Sequence, residues 1–173
     1  MTQHPAPALH LRPWADEDFP LLEKLLGDPA MTEHLGGPET PEQLAKRQQR
    51  YIAFTDPTST QMFAVLLGAE SVGSVGYWET EWRGDTIYEM GWSVLPAFQG
   101  QNIGARATLA ALDKLRPLAL HRFVHAFPSV ENPPSNAVCR KAGFTLIEEF
   151  QGEYPKGHFM RCNDWRLDLE GEP

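Results

Sequence analysis

The sequence predicts a mixed α/β domain, and three observations support this fold class. Helix-like and strand-like patterns interleave along the chain, in the order strand, two helices, three strands, helix, strand, helix and two strands. A strand–helix–strand unit over residues 86–127 predicts two parallel strands, because crossovers of this kind join parallel neighbours. The 173 residues, 42% of them hydrophobic, suit a single domain over residues 1–173 with its own core.

Each element rests on hydrophobic spacing bounded by helix or turn signals. Gly27 and Gly143 stop two helices, and Thr40 followed by Pro41 is an N-cap with proline at the first helical position. The tripeptide Gly68-Ala69-Glu70 joins two strands into a hairpin. The predicted elements are strand 9–12, helix 16–26, helix 41 to about 54, strands 61–67, 71–78 and 86–94, helix 104–115, strand 122–127, helix 133–142, and strands 144–150 and 158–169.

Composition and charge exclude several classes of function. The formal net charge of −8 argues against nucleic acid as the main ligand, and it suits either a cationic substrate or solubility alone. No window approaches the roughly 18 consecutive apolar residues of a membrane span, and the N-terminus lacks the pattern of a secretory signal. We therefore expect a cytoplasmic protein without a membrane partner, with Cys139 and Cys162 as reduced thiols. The six histidines are scattered, and we expect no metal site.

The turn between strand 86–94 and the next helix carries the strongest functional signal. It reads FQGQNIGA and contains Gly100 and Gly104. Helix starts expose N–H groups with partial positive charge, and glycines let an anionic ligand approach closely. The turn is a candidate phosphate-binding loop, with an ordinary solvent-exposed turn as the alternative. Neither G-x-x-x-x-G-K-S/T nor G-x-G-x-x-G occurs, which argues against P-loop and dinucleotide-binding proteins.

Two blocks of the sequence resemble one known family. The stretch VLPAFQGQNIGA (94–105) resembles the V-x-P-x-x-R/Q-x-x-G-x-G/A loop of the GNAT superfamily of N-acetyltransferases, with Gln99 at the R/Q position and Asn102 replacing the middle glycine. The stretch NPPSNAVCRKAGF (132–144) resembles the N-x-x-S/A…K-x-G-F segment of the same family. Two further stretches resemble the branch of this family that includes ribosomal-protein N-terminal acetyltransferases: MTEHLGGPETPEQLAKRQQRY (31–51) and YEMGWSVLP (88–96). The resemblance covers nearly the whole chain.

The resemblance implies the GNAT fold, in which four helices flank a central, mixed, twisted sheet of six to seven strands. It implies acetyl-CoA as cosubstrate, with the pyrophosphate on the backbone amides of residues 100–105 and Gln99 bracing the loop or reaching a phosphate. In this family the strand before the loop is splayed from its parallel neighbour and binds pantetheine through its backbone. The implied cofactor-binding residues are Trp92, Ser93, Val94, Gln99, Gly100, Gln101, Asn102, Ile103, Gly104, Ala105, Asn132 and Ser135. The alternative for the side chains of Trp92 and Val94 is a purely structural role, in the core or in the wall of the site.

Glu89 is the candidate general base. Strand alternation places it with Gly91 and Ser93 on one face, near apolar and aromatic groups that can raise the pKa of a carboxylate. The alternative is a structural or substrate-orienting carboxylate, with water as the base.

The second block supplies the candidate proton donors. Cys139 stands where many relatives in the family carry tyrosine, so its thiol is a candidate acid, and the alternative is a small core residue. Ser135 lies one turn earlier on the same helix face and is a second candidate, acting through water. Asn132 is expected to bind pantetheine and to cap the helix, with Pro133 at the first helical position.

The resemblance implies direct acetyl transfer to a primary amine of a protein N-terminus or a small molecule. The acceptor is expected between the two early helices, the linker 31–38 and the segment 79–86. Four acidic residues could attract its ammonium group, although the first three could equally form a solvated hairpin tip: Glu79, Glu81, Asp85 and Glu89.

Two rival functions remain open at this point. The departures from the family pattern at Asn102 and Cys139 suggest a CoA-binding sensor or scaffold without turnover. A transferase of aminoacyl or longer acyl groups is the third reading. The two closing strands could also support a homodimer.

Overall fold

A computed structural model describes residues 7–171, which form one seven-stranded sheet with four α-helices. The strands are β1 (Leu9–Pro13), β2 (Thr60–Leu67), β3 (Glu70–Trp82), β4 (Asp85–Val94), β5 (Phe123–Ala126), β6 (Thr145–Glu153) and β7 (Phe159–Asp168). The helices are α1 (Phe19–Leu26), α2 (Pro41–Ile52), α3 (Ile103–Leu115) and α4 (Pro133–Lys141).

The strands lie in the order β1-β2-β3-β4-β5-β7-β6. Only β4 and β5 are parallel, and every other neighbouring pair is antiparallel. The helix α3 makes the crossover between the two parallel strands, as the sequence predicted. The fold class and the order of elements are therefore confirmed.

Apolar side chains on the two faces of the sheet form two separate cores. One lies against α3 and α4 and includes Tyr77, Tyr88 and Val124. The other lies against α1 and α2 and includes Trp14, with Trp78 packed against it. Because successive side chains of a strand point to opposite faces, Glu89 lies on the α1–α2 face while its neighbour Tyr88 is buried on the other.

The first predicted helix, over residues 16–26, is divided in the structure. A 3-10 turn covers Asp16–Asp18, and α1 begins only at Phe19. The buried carboxylate of Asp18 accepts hydrogen bonds from the Ala15 backbone N–H at 2.8 Å and from the Arg12 guanidinium at 2.7 and 3.0 Å. These bonds fix a tighter turn than an α-helix at the start of this segment.

Several other element ends differ from prediction, and two of these differences bear on the shape of the molecule. The helix α2 ends at Ile52 rather than near residue 54. Its start is as predicted, because the Thr40 hydroxyl accepts a hydrogen bond from the Gln43 N–H at 3.3 Å and the Gln43 side chain accepts one from the Thr40 N–H at 2.8 Å. The hairpin of β3 and β4 is longer than predicted. Its tip, Arg83-Gly84, has φ values of 51° and 89°, which suit a two-residue hairpin turn.

Candidate active site

A cleft opens where the two parallel strands separate. The strands β4 and β5 pair over only two positions, Tyr88 with Val124 and Glu89 with His125. The strand β4 continues to Val94, still paired with β3, whereas β5 ends at Ala126. Residues from both diverging strands line a cavity of about 960 Å³, including Met90, Gly91, Trp92, Ala126 and Phe127.

The chain after β5 explains this divergence. It follows β7 instead of β4, because the Pro128 carbonyl accepts from the Asn163 N–H at 2.9 Å and the Val130 N–H donates to the Arg161 carbonyl at 3.0 Å. One edge of β4 is therefore left without a strand partner beyond Glu89. Its outward N–H and C=O groups are available to a ligand.

The glycine-containing loop joins the end of β4 to α3. Gly100 and Asn102 have φ values of 79° and 59°, and Asn102 is the N-cap of α3. Within residues 7–171, the backbone N–H groups of 100–105 have no hydrogen-bond acceptor. Gln99 donates its side-chain amide to the Val94 carbonyl at 2.9 Å and so braces the loop against the strand. This cradle of free amides at a helix start suits an anionic group such as pyrophosphate.

Two further features of the loop were not expected from the sequence. A Cβ at Gly104 would lie 3.0 Å from a methyl group of Val138, so this glycine lets α3 pack closely against α4 instead of giving a ligand direct access. The Lys141 ammonium donates to the Asn102 side-chain carbonyl at 2.5 Å and brings a positive charge to the loop. The lysine of the K-x-G-F segment was the available signal for this charge.

Glu89 lies where the two strands diverge and lines the cavity. Its carboxylate accepts a hydrogen bond from the Trp78 indole N–H at 3.2 Å. Burial raises the pKa of Glu89, and the Trp78 hydrogen bond and nearby His125 partly oppose this effect. Gly91 makes room for the indole ring, because a Cβ at that position would lie 2.9 Å from it. A half-buried carboxylate with a raised pKa suits a general base.

A buried polar cluster lies beside Glu89. The Nδ1 atom of His125 is 2.6 Å from a carboxylate oxygen of Asp164, whose other oxygen accepts from the Trp82 indole N–H at 3.1 Å. Sequence reasoning missed this cluster, although a histidine and an aspartate inside apolar strands were a usable signal. The strand register places His125 directly next to Glu89.

The second sequence block divides between the cavity and the core. Asn132 and Ser135 line the cavity, and the Asn132 side chain accepts from the Ser135 N–H at 3.2 Å, which confirms the predicted helix cap. Cys139 has 0% exposure, belongs to the core between α4 and the sheet, and does not line the cavity. Burial raises the pKa of its thiol to about 12. The structure thus gives Cys139 the place of the small core residue, away from the other site residues.

Three separate segments enclose the far end of the cavity: the linker before α2, one face of α2, and the turn between β6 and β7. The linker and the turn are packed together, since a Cβ at Gly36 would lie 2.4 Å from the Pro155 ring. The Arg47 guanidinium pairs with the Glu39 carboxylate and donates to the hydroxyl groups of Tyr51 and Tyr154 at 3.3 and 3.2 Å.

The hairpin tip is not part of this enclosure, so the expectation that residues 79–86 wall the acceptor needs correction. Residues 79–86 of the β3–β4 hairpin do not line the cavity, and two of the acidic side chains there have partners of their own. The Glu79 carboxylate lies 2.6 Å from Nε2 of His121, and the Glu81 carboxylate accepts from the Thr86 hydroxyl at 2.5 Å. Of the four predicted acidic residues, only Glu89 lines the cavity.

Neither a metal-binding cluster nor a membrane-spanning helix occurs within residues 7–171. Over this part of the chain, no cluster of three or more His, Cys, Asp or Glu side chains could hold a metal ion. None of the helices described is both long and apolar enough to cross a membrane.

Comparisons with known proteins agree with this geometry. The parallel pair β4 and β5 separates beside an amide-rich helix start, as the resemblance to the acetyltransferase family implied. Residues 8–145 match the family described as Acetyltransferase (GNAT) domain. This chain belongs to the GNAT acetyltransferase family, as its two sequence blocks predicted. No curated protein matches it in a sequence comparison.

Solved structures share the fold at low sequence identity. An acetyltransferase from Salmonella typhimurium that modifies the N-terminal serine of ribosomal protein L7/L12 is 24% identical, with a TM-score of 0.78 over 95% of this chain and 96% of that one. Spermidine N-acetyltransferase from Vibrio cholerae, in complex with CoA and spermine, is 17% identical, with a TM-score of 0.76 over 93% and 95%. An aminoglycoside acetyltransferase in complex with coenzyme A is 18% identical, with a TM-score of 0.73 over 93% and 95%.

Proposed function

We propose that the protein is an acetyl-CoA-dependent N-acetyltransferase that transfers the acetyl group directly to a primary amine. One observation carries the proposal: the unpaired edge of β4 begins beside a half-buried carboxylate, Glu89, and ends at a loop of free amides. We further propose that residues 1–173 are a single acetyltransferase domain. The strands β6 and β7, which extend beyond the family match, complete the sheet and enclose the cavity.

The residues of the loop and of α4 fit acetyl-CoA as the cosubstrate. The amides of 100–105 would bind its pyrophosphate, and Lys141 would add a positive charge there. The backbone of Trp92, Ser93 and Val94, with Asn132, would hold the pantetheine chain along the cleft. Bound acetyl-CoA supplies the activated acetyl group, and the N–H groups on the open edge of β4 would stabilise negative charge that develops on the carbonyl oxygen.

Glu89 would remove a proton from the acceptor ammonium. The reaction needs a neutral amine, because only a free lone pair can attack a carbonyl carbon. Burial disfavours the charged form of Glu89 and so makes the carboxylate a stronger base. The departing thiolate needs a proton, and Ser135, which lines the cavity, is better placed than Cys139 to deliver it through water.

A CoA-binding sensor without turnover is the second candidate function. The burial of Cys139 favours it, because the family position that often holds an acidic hydroxyl has no proton donor in the cavity here. Asn102 does not favour it, because its backbone adopts the left-handed conformation that a glycine would supply.

The test is single-turnover transfer from radiolabelled acetyl-CoA, with the intact mass of the protein measured in parallel. Without amine, we expect the protein mass to remain unchanged. With an accepted amine, we expect all label on the amine and none on the protein. Label on the protein would contradict direct transfer, and bound acetyl-CoA that stays intact with every amine tested would support the sensor.

A further inference from the structure

The far end of the cavity has a charge opposite to that of the whole chain. The chain carries 23 acidic and 15 basic residues. The cavity wall formed by α2 and the β6–β7 turn nevertheless holds four basic residues: Lys46, Arg47, Arg50 and Lys156. Glu39, in the linker before α2, adds a carboxylate to the lining beside them, and it is already paired with Arg47. In the part of the chain that the structure describes, Lys46, Arg50 and Lys156 have no carboxylate within 4.0 Å.

The three remaining positive charges face one space. Lys46 and Arg50 are four residues apart on α2, and residues at this spacing lie on the same helix face. Lys156 comes from the β6–β7 turn, which the bond between the Tyr154 hydroxyl and Arg47 fastens to that face of α2. Two segments more than 100 residues apart in sequence therefore present ammonium and guanidinium groups to the same cavity end.

Glu89 supplies a carboxylate to the lining of the same cavity. It lies at the strand divergence, among Trp78, Gly91 and Trp92, where the acceptor amine would meet the acetyl group. A ligand in this cavity therefore meets a carboxylate on β4 and, on α2 and the β6–β7 turn, positive charges without a carboxylate within 4.0 Å. Lys46, Arg50 and Lys156 are exposed, so their attraction for a carboxylate weakens as salt is added.

We propose that the acceptor is a primary amine that also carries carboxylate groups, with its amine at Glu89 and its carboxylates at Lys46, Arg50 and Lys156. This inference rests on the proposed acetyltransferase function and narrows its substrate class. An acidic peptide N-terminus and a free acidic amino acid share the required chemistry. Polycationic amines are disfavoured, because they would place positive charge against the same residues.

Matched acceptors test the inference through kcat/KM for thiol release from acetyl-CoA. One peptide has an N-terminal serine followed by glutamates, and its partner has arginines at the same positions, so that the α-amine is the only primary amine in both. Free glutamate and spermidine complete the set. We expect the acidic peptide or glutamate to exceed the arginine peptide and spermidine by about tenfold or more, with the difference shrinking as salt is added. Comparing kcat/KM for the acidic peptide with kcat/KM for free glutamate shows whether the acceptor is a peptide N-terminus or a free amino acid.

Charge reversal supplies the second part of the test. The double variant Lys46→Glu, Lys156→Glu should lower kcat/KM for the preferred acidic acceptor by about tenfold, and raise it for the arginine peptide. Lys114→Glu is the control for a charge reversal outside the cavity, since Lys114 is exposed near the end of α3 and does not line the cavity. Lys114→Glu should leave both values unchanged.

The possible failures are distinguishable. Thiol release that is as fast or faster with the arginine peptide or spermidine would overturn the inference and leave the acetyltransferase function intact. An unchanged preference in the double variant would overturn it in the same way. No release with any acceptor, by a protein that binds acetyl-CoA, would overturn the proposed function and the inference with it.

Discussion

Replacing Glu89 with glutamine isolates the role of its carboxylate as a base. The two side chains have nearly the same shape, and the amide oxygen of glutamine can still accept the hydrogen bond that Trp78 donates at 3.2 Å. The substitution therefore removes the ability to take a proton without opening a cavity or leaving the indole N–H unpaired. We expect the variant to fold and to bind acetyl-CoA as the parent does.

The expected loss follows from the proposed role of this carboxylate as a base. A positioned general base contributes about 100- to 10,000-fold to a rate, or roughly 3–5 kcal/mol in the activation barrier. Burial raises the pKa of Glu89, so the parent kcat should rise with pH through that raised pKa as the carboxylate loses its proton. The Glu89→Gln variant should be slower by about 100-fold or more and should lack this acidic limb.

Stability measurements separate lost chemistry from lost folding. The raised pKa means that the folded state holds the Glu89 proton more tightly than the unfolded state. The charged carboxylate therefore costs stability as pH rises above its unfolded pKa, and glutamine does not carry this cost. We expect the variant to melt at the same or a higher temperature than the parent at neutral pH.

The assay is thiol release from acetyl-CoA across a pH series with one accepted amine, beside thermal melting of both proteins. A variant that retains most of the parent kcat, or keeps the acidic limb, would refute Glu89 as the base. Glu89 would then be an orienting carboxylate with water as the base, which is the alternative that the sequence left open.

Three further predictions concern the loop and α4. Lys141→Met should raise the KM for acetyl-CoA several-fold with little change in kcat, because the charge near Asn102 serves phosphate binding. Gly104→Val should lower the free energy of unfolding by about 1–3 kcal/mol in denaturant titration, because its side chain would press on Val138. Cys139→Ala should cost about 1–2 kcal/mol of stability and leave kcat unchanged; a large fall in kcat in a well-folded variant would restore Cys139 as the acid.

Features encoded in short contiguous stretches could be predicted from the sequence. The amide loop before α3, the Thr40 cap of α2 and the Asn132 cap of α4 each depend on neighbouring residues. The order of strands and helices followed from the hydrophobic spacing, and with it the parallel pair. Local backbone chemistry was therefore sufficient to predict these caps and the loop.

Features that depend on packing between distant segments could not be predicted. His125 and Asp164 are 39 residues apart in sequence, and only the sheet register brings them together beside Glu89. Ser135 and Cys139 share one face of α4, but the packing of that helix on the sheet buries Cys139 in the core while Ser135, one turn nearer the helix start, lines the cavity.

The part of the cavity proposed to bind the acceptor's carboxylates depends on the same kind of long-range contact. Tyr154 meets Arg47 across 107 residues, and this contact joins the basic face of α2 to the β6–β7 turn. From the sequence alone, the net charge of −8 pointed to a cationic substrate or to solubility. The local charge of the cavity points to an acceptor that carries carboxylates.

The most direct test of the central claim is steady-state thiol release from acetyl-CoA, with the acetylated amine identified by mass spectrometry. The panel contains peptides with N-terminal serine or alanine, free amino acids and polyamines. The account predicts turnover on at least one primary amine, with one acetyl group gained for each thiol released. Tight binding of acetyl-CoA without thiol release on any amine would contradict it and would establish the protein as a CoA-binding sensor.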